Sequence, residues 1–149
     1  MNILKILILS FIGLYCFSAC NQSKTKTTNT VETYRNPVIS GDFPDPTVIR
    51  VGETYYAATS SSEWALPYRL FQSKDLINWE FTGPLFNEMP EWLMGSFWAP
   101  ELYYYDDTFY IYYTARRKSD KRSYIGVATT KDFKSGFTDH GLLIEWTSE

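Results

Sequence analysis

Residues 46–60, PTVIRVGETYYAATS, and residues 100–114, PELYYYDDTFYIYYT, decide the fold. Pro46 matches Pro100, Thr54 matches Thr108 and Tyr56 matches Tyr110, each at an offset of 54 residues. Each stretch reads as an apolar strand, a short turn (VGET, then YDDT) and a second apolar strand. The following segments match as well: QSKDLINWEFTG (72–83) resembles TTKDFKSGFTDHG (129–141), with Lys74-Asp75 matching Lys131-Asp132 at an offset of 57. A repeat of about 55 residues built from about four short strands has the size of a β-propeller blade. The pattern predicts an all-β chain with first-blade strands near 45–51, 54–61, 67–73 and 78–82. Second-blade strands are expected near 99–105, 108–115, 122–130 and 139–144, with residues 84–97 as a connecting loop. No amphipathic helix stands out after the N-terminal segment.

Composition agrees. The chain has 149 residues, 44% of them hydrophobic and 21% charged, a globular balance that argues against disorder. Aromatics reach 18%, and aromatic side chains fit pleated surfaces. A net charge of -3 excludes a general electrostatic nucleic-acid binder. One His and two Cys leave no room for a zinc cluster of the Cys/His kind.

The N-terminus reads as an address. Met1 to Lys5 carries one positive charge, and residues 6–17 (ILILSFIGLYCF) are an apolar run too short to span a bilayer but suited to a signal h-region. Ser18, Ala19 and Cys20 follow, a run that resembles a bacterial lipoprotein signal, although Phe17 stands where Leu is commoner. The expectation is a signal peptide over 1–19, cleavage before Cys20 and lipid on its sulfur; an ordinary secretory signal cut nearby is the alternative. Residues 20–33 then form the lipidated Cys and a polar, Thr-rich tether. With Cys16 removed and Cys20 acylated, no disulfide forms within the mature chain, which is expected to be an exported, membrane-anchored lipoprotein on a periplasmic face or the cell surface.

Two blades cannot close a ring, because propellers need at least four and each blade buries its faces against neighbours. Residues 34–149 are therefore expected to be the N-terminal blades of a longer propeller.

The chemistry is concentrated where the first blade opens, at NPVISGDFPDPT (36–47). Together with YYAATSSSEW (55–64), SKDLINW (73–79) and FWAPELYYYDDTFYIYYTA (97–115), in this order and at blade spacing, it resembles glycoside hydrolase family 43 over nearly all of residues 34–149. The resemblance implies a five-bladed β-propeller and hydrolysis of O-glycosyl bonds in pentose-containing polysaccharides or oligosaccharides (arabinosyl or xylosyl) with inversion. The Asp between two prolines, Asp45, matches the family's general base. An inverting glycosidase needs such a carboxylate to deprotonate a water opposite the leaving group. Pro44 and Pro46 fix φ on both sides of it. Asp42 matches no catalytic position and reads as turn or supporting residue.

The resemblance assigns the general acid Glu and the Asp that raises its pKa to later blades, beyond Glu149, so residues 1–149 alone are expected to be inactive. Glu101, just past the second-blade match to Asp45, is not the acid; a hydrogen bond near the axis and sugar contact is its expected role. Glu145 and Glu149 match neither carboxylate. Trp98 precedes Ala99, the second-blade match to Asp45, and is expected at the wall of the site, where aromatic faces stack on sugar C–H faces; inter-blade packing is its alternative. Trp64 divides between sugar contact and packing. Trp79 follows an outer-strand alternation and reads as core, while Trp92 and Trp146 carry no signal.

Three features are set aside. Arg116, Arg117, Lys118, Lys121 and Arg122 form a basic run that fits an acidic polysaccharide but reads first as a solvated hairpin loop interrupted by Asp120. Asp106-Asp107 matches Gly52-Glu53 in the repeat and reads as turn chemistry rather than a metal pair. His140 alone is no metal site. No cofactor is required; the resemblance admits a structural ion on the axis of the complete propeller, but no residue here establishes one. Beyond a glycan substrate and the N-terminal lipid, no nucleic-acid or membrane partner is expected. Two alternatives remain: a non-catalytic cell-surface glycan-binding propeller, and a fructan-type enzyme, which lacks support because its Asn-Asp-Pro-Asn opening is absent.

Overall fold

In the computed structural model the two repeats form two four-stranded antiparallel sheets, each a meander in chain order. The structure describes residues 33–61 and 67–144. From Tyr34 onward these belong to one compact unit. The first sheet contains β1 (Thr47–Val51), β2 (Thr54–Thr59), β3 (Arg69–Ser73) and β4 (Trp79–Pro84). The second contains β5 (Leu93–Tyr105), β6 (Thr108–Arg117), β7 (Ser123–Thr130) and β8 (Thr138–Ile144). The fold is all-β, two blades of a propeller, as the repeat predicts.

All eight strands fall where expected, with one substantial correction. The loop drawn over 84–97 is in part strand, because β5 begins at Leu93 and pairs with β6 through register shifts at Gly95 and Trp98. Gly95 and Ser96, both with positive φ, interrupt the alternation and make a bulged strand look like a loop. The connector is also anchored. Leu85 N–H donates to Tyr68 O (3.1 Å), Phe137 N–H to Leu85 O (3.0 Å) and Lys118 N–H to Trp92 O (2.9 Å).

Alternation along the strands builds the core between the sheets. Blade one contributes Ala58, Tyr68 and Leu70; blade two contributes Leu102, Phe109, Ile111, Tyr113, Ala115 and Ala128; the connector adds Leu85 and Phe86. Each fully buried large apolar side chain contributes roughly 1.5–3 kcal/mol. Tyr113 is centred in this core, against Tyr68 (5.7 Å), Phe86 (5.3 Å) and Trp92 (6.1 Å between ring centroids). Trp92, silent in the sequence, packs on the core, and its Nε1 donates to Asp139 Oδ2 at 2.8 Å. Tyr113 donates its hydroxyl to the other oxygen of Asp139 at 2.5 Å.

The repeat extends to hydrogen bonds. Asp75 N–H donates to Ser73 Oγ, and its Oδ1 and Oδ2 accept from Asn78 N–H and Nδ2. Fifty-seven residues on, Asp132 N–H donates to Thr130 Oγ1, and Asp132 Oδ2 accepts from Ser135, the match of Asn78. Asn78 first, then Ile77, holds the Asp75 carboxyl well below the usual carboxylate range.

The opposite faces of the two sheets are apolar too. On blade one, Val48, Ala57 and Trp79 line an open cleft of about 680 Å³, and Phe71 packs edge-on to Phe43 and Phe81. On blade two, Tyr103 and Tyr105 stack at 6.5 Å and are more than half exposed. Trp79 is only half-buried on the cleft side, with Nε1 donating to Leu76 O (3.0 Å), rather than fully enclosed as the alternation suggests.

Candidate active site

The β1–β2 register pairs Thr47 with Ala58, so its continuation sets Asp45 opposite Ser60. Two hydrogen bonds tie Ser60 to this segment: its N–H donates to Pro44 O, and its Oγ donates to Asp45 Oδ2, both at 2.9 Å. Ser60 is buried, with 3% of its surface exposed, whereas Asp45 is exposed. One carboxylate oxygen is thus held, and the other, Oδ1, has no hydrogen-bond partner among the described residues.

The prolines fix their own φ, but Asp45 does not take the extended backbone that a residue before proline favours. Its φ is +53°, and at its repeat match, Ala99, φ is +32°. For Ala in particular this is a sparsely populated conformation, which persists only where the surroundings enforce it and clusters at functional sites. The surroundings here are shared. Ala99 N–H donates to Ser60 Oγ (2.9 Å), and Leu102 N–H to Thr47 Oγ1 (3.3 Å), so the inner strands of both blades are tied at their openings.

Trp98 lies beside Ala99 with 52% of its surface exposed, outside the core between these two sheets. Its carbonyl accepts from Tyr68 Oη at 3.2 Å, and Thr114 O accepts from the same hydroxyl at 2.5 Å. Burial pushes the Tyr68 hydroxyl well above the usual tyrosine range, so it remains a donor. Glu101 is exposed and makes no side-chain hydrogen bond among the described residues. Asp42 is exposed and outside the Asp45–Ser60 pair. Trp64, Cys20, Glu145, Trp146 and Glu149 lie outside the described residues.

The features set aside find partners within their own hairpins. Asp106 and Asp107 both have left-handed φ, as a tight hairpin turn requires, and Asp107 Oδ1 accepts from Tyr104 Oη at 3.1 Å. Arg117 ends β6, pairs with Asp120 at 2.6 Å and stacks on Tyr124 at 4.3 Å. His140 Nε2 lies 2.6 Å from Thr129 Oγ1. Ser60 is the residue that sequence reasoning missed. Its signal was the hairpin register, which places it across from Asp45, within a run of serines with no other mark.

At the opening of the first blade an exposed carboxylate is thus held through one oxygen by a buried hydroxyl that also accepts from the second blade's backbone. The chain belongs to the family described as glycosyl hydrolases family 43, whose pattern matches residues 34–149. A beta-xylosidase of Formosa agariphila is 35% identical over 122 residues, which cover 75% of this chain and 20% of that protein. A non-reducing end alpha-L-arabinofuranosidase of Bacteroides ovatus is 36% identical over 113 residues, 70% of this chain and 20% of that one. The solved Bacteroides ovatus xyloglucan PUL GH43B superposes with a TM-score of 0.63 at 34% identity, covering 72% of this chain and 23% of its own. The chain spans about a fifth of the length of these curated relatives.

Proposed function

We propose that the protein carrying this chain is a glycosidase that hydrolyses arabinosyl, xylosyl or related pentose O-glycosyl bonds with inversion, and that Asp45 is its general base. The observation that carries this reading is the asymmetric carboxylate of the exposed Asp45, with Oδ2 bonded to buried Ser60 and Oδ1 without a partner among the described residues. In the reaction, Oδ1 takes a proton from a water whose oxygen bonds to the anomeric carbon as the glycosidic C–O bond breaks. The leaving oxygen takes its proton from a general acid that the family resemblance assigns to later blades. The exposed Trp98 ring offers an apolar face to the sugar. We further propose that residues 1–19 direct export and that lipid on Cys20 anchors the protein to a membrane face.

Asn is nearly isosteric with Asp but accepts no proton. In the intact protein Asp45→Asn should lower kcat on an activated aryl pentoside by on the order of 10²–10⁴-fold, with a smaller effect on ground-state binding. Circular dichroism checks folding, and NMR of the first-formed wild-type product should show the inverted anomer. Asp42→Asn is the control and should cost much less. Loss of turnover in Asp42→Asn, with most activity kept in Asp45→Asn, would place the base on the wrong carboxylate.

A further inference from the structure

Ser60 has one proton to give, and the geometry around it fixes where that proton goes. The Ala99 N–H can only donate, so at 2.9 Å it occupies a lone pair of Ser60 Oγ. The hydroxyl then donates to Asp45 Oδ2, also at 2.9 Å. Ser60 is almost wholly buried, so water does not compete for either bond. The result is a directed chain, from the backbone of the second blade's opening through the Ser60 hydroxyl to the carboxylate at the first blade's opening. Asp45 itself is solvent-exposed and, among the described residues, its carboxylate has no other hydrogen bond.

We infer that Ser60 is a positioning residue for the reaction, holding Asp45 through Oδ2 so that Oδ1 faces the attacking water. The inference rests on Asp45 being the base. Ala99 shares in the role through its main chain, because its left-handed backbone aims the N–H at Ser60 rather than along a strand ladder. An unbraced carboxylate on an exposed loop samples several rotamers, and misplacement of a catalytic group by about 1 Å costs up to on the order of 10²-fold.

The test compares Ser60→Ala, Asp45→Asn and the double variant in the intact protein. Ser60→Ala should lower kcat about 10-fold to 10²-fold with KM within about twofold, and in the Asp45→Asn background it should lower kcat no further, because the group it positions is already gone. A pocket that is merely damaged would raise KM and lower kcat by the same factor in either background. Should Ser60→Ala not fold, the isosteric pair Ser60→Thr and Ser60→Val carries the same test, with Thr expected to keep turnover and Val to lose it. Wild-type kcat in folded Ser60→Ala, or an equal loss in both backgrounds, overturns the role of Ser60. Retained turnover in Asp45→Asn instead overturns the assignment of the base.

Discussion

Replacing Tyr68 with Phe removes one oxygen from the seam between the blades and leaves the ring in place. Tyr68 has none of its surface exposed, and its hydroxyl bridges two backbone carbonyls of blade two, Thr114 O at 2.5 Å and Trp98 O at 3.2 Å. The ring contacts with Phe97 (5.8 Å) and Tyr113 (5.7 Å between centroids) survive the change. The hydroxyl has a single proton, given mainly to Thr114 O and shared with Trp98 O, and removing it leaves a buried acceptor unpaired, for an expected loss of about 1–3 kcal/mol. For a domain of 150–250 residues each kcal/mol shifts Tm by roughly 2–4 °C, so thermal unfolding followed by circular dichroism should register a drop of several degrees. Tyr68→Ala also empties the ring site and should cost about 3–5 kcal/mol more. The size of the Tyr68→Phe effect should itself depend on pH. Burial pushes the Tyr68 hydroxyl up, so above about pH 10, where an unfolded tyrosine ionises, the unfolded state binds fewer protons than the native one. Wild-type stability therefore falls as pH rises through that range, while Tyr68→Phe is spared this share of the fall. The gap in Tm between the two should narrow from pH 9 to pH 11. An unchanged Tm at pH 8, or a gap that widens with pH, refutes this account.

Gly126→Ala should destabilise by about 1–3 kcal/mol through overpacking, because its Cβ would come 2.5 Å from Tyr113 Cζ and 2.6 Å from Tyr113 Oη, on a ring that Asp139 holds in place. Urea unfolding of the variant, with a midpoint equal to wild type, would show that Tyr113 yields at no cost. Under the proposed anchoring, Cys20→Ser should abolish incorporation of labelled fatty acid in a bacterial host; equal labelling, or mature protein beginning elsewhere, removes that proposal.

The blades were legible because pairing follows chain order, so strand, turn and strand repeat visibly at 54 residues. Strand ends in Gly, Asp or Pro were legible for the same reason. The start of β5 was not, since a bulge with positive φ at Ser96 breaks the alternation that identifies a strand. Local pattern showed Asp45 and Trp98 as candidates but could not show how they are held. The bond from Ala99 to Ser60 joins residues 39 apart, and a run of three serines does not announce that Ser60 is the one on the carboxylate. Trp92 is a similar case, because its partner Asp139 is 47 residues away. The backbone at Asp45 was misleading for another reason: two flanking prolines suggest extension, whereas its φ is +53° with the carboxylate turned onto Ser60.

The strictly sequential meander has a kinetic consequence. Each strand finds its partner across a short loop, so each blade closes through contacts of low sequence separation, the kind that forms fastest. The Asp45–Ser60 bond spans 15 residues and lies within the first hairpin, whereas Ser60–Ala99 and Tyr68–Thr114 span 39 and 46 and must wait for the second blade. On a chain that emerges from its N-terminus, the carboxylate can meet its serine early, but that serine is locked only when the next blade docks. The orientation of the site is then among the last features of this pair of blades to become permanent.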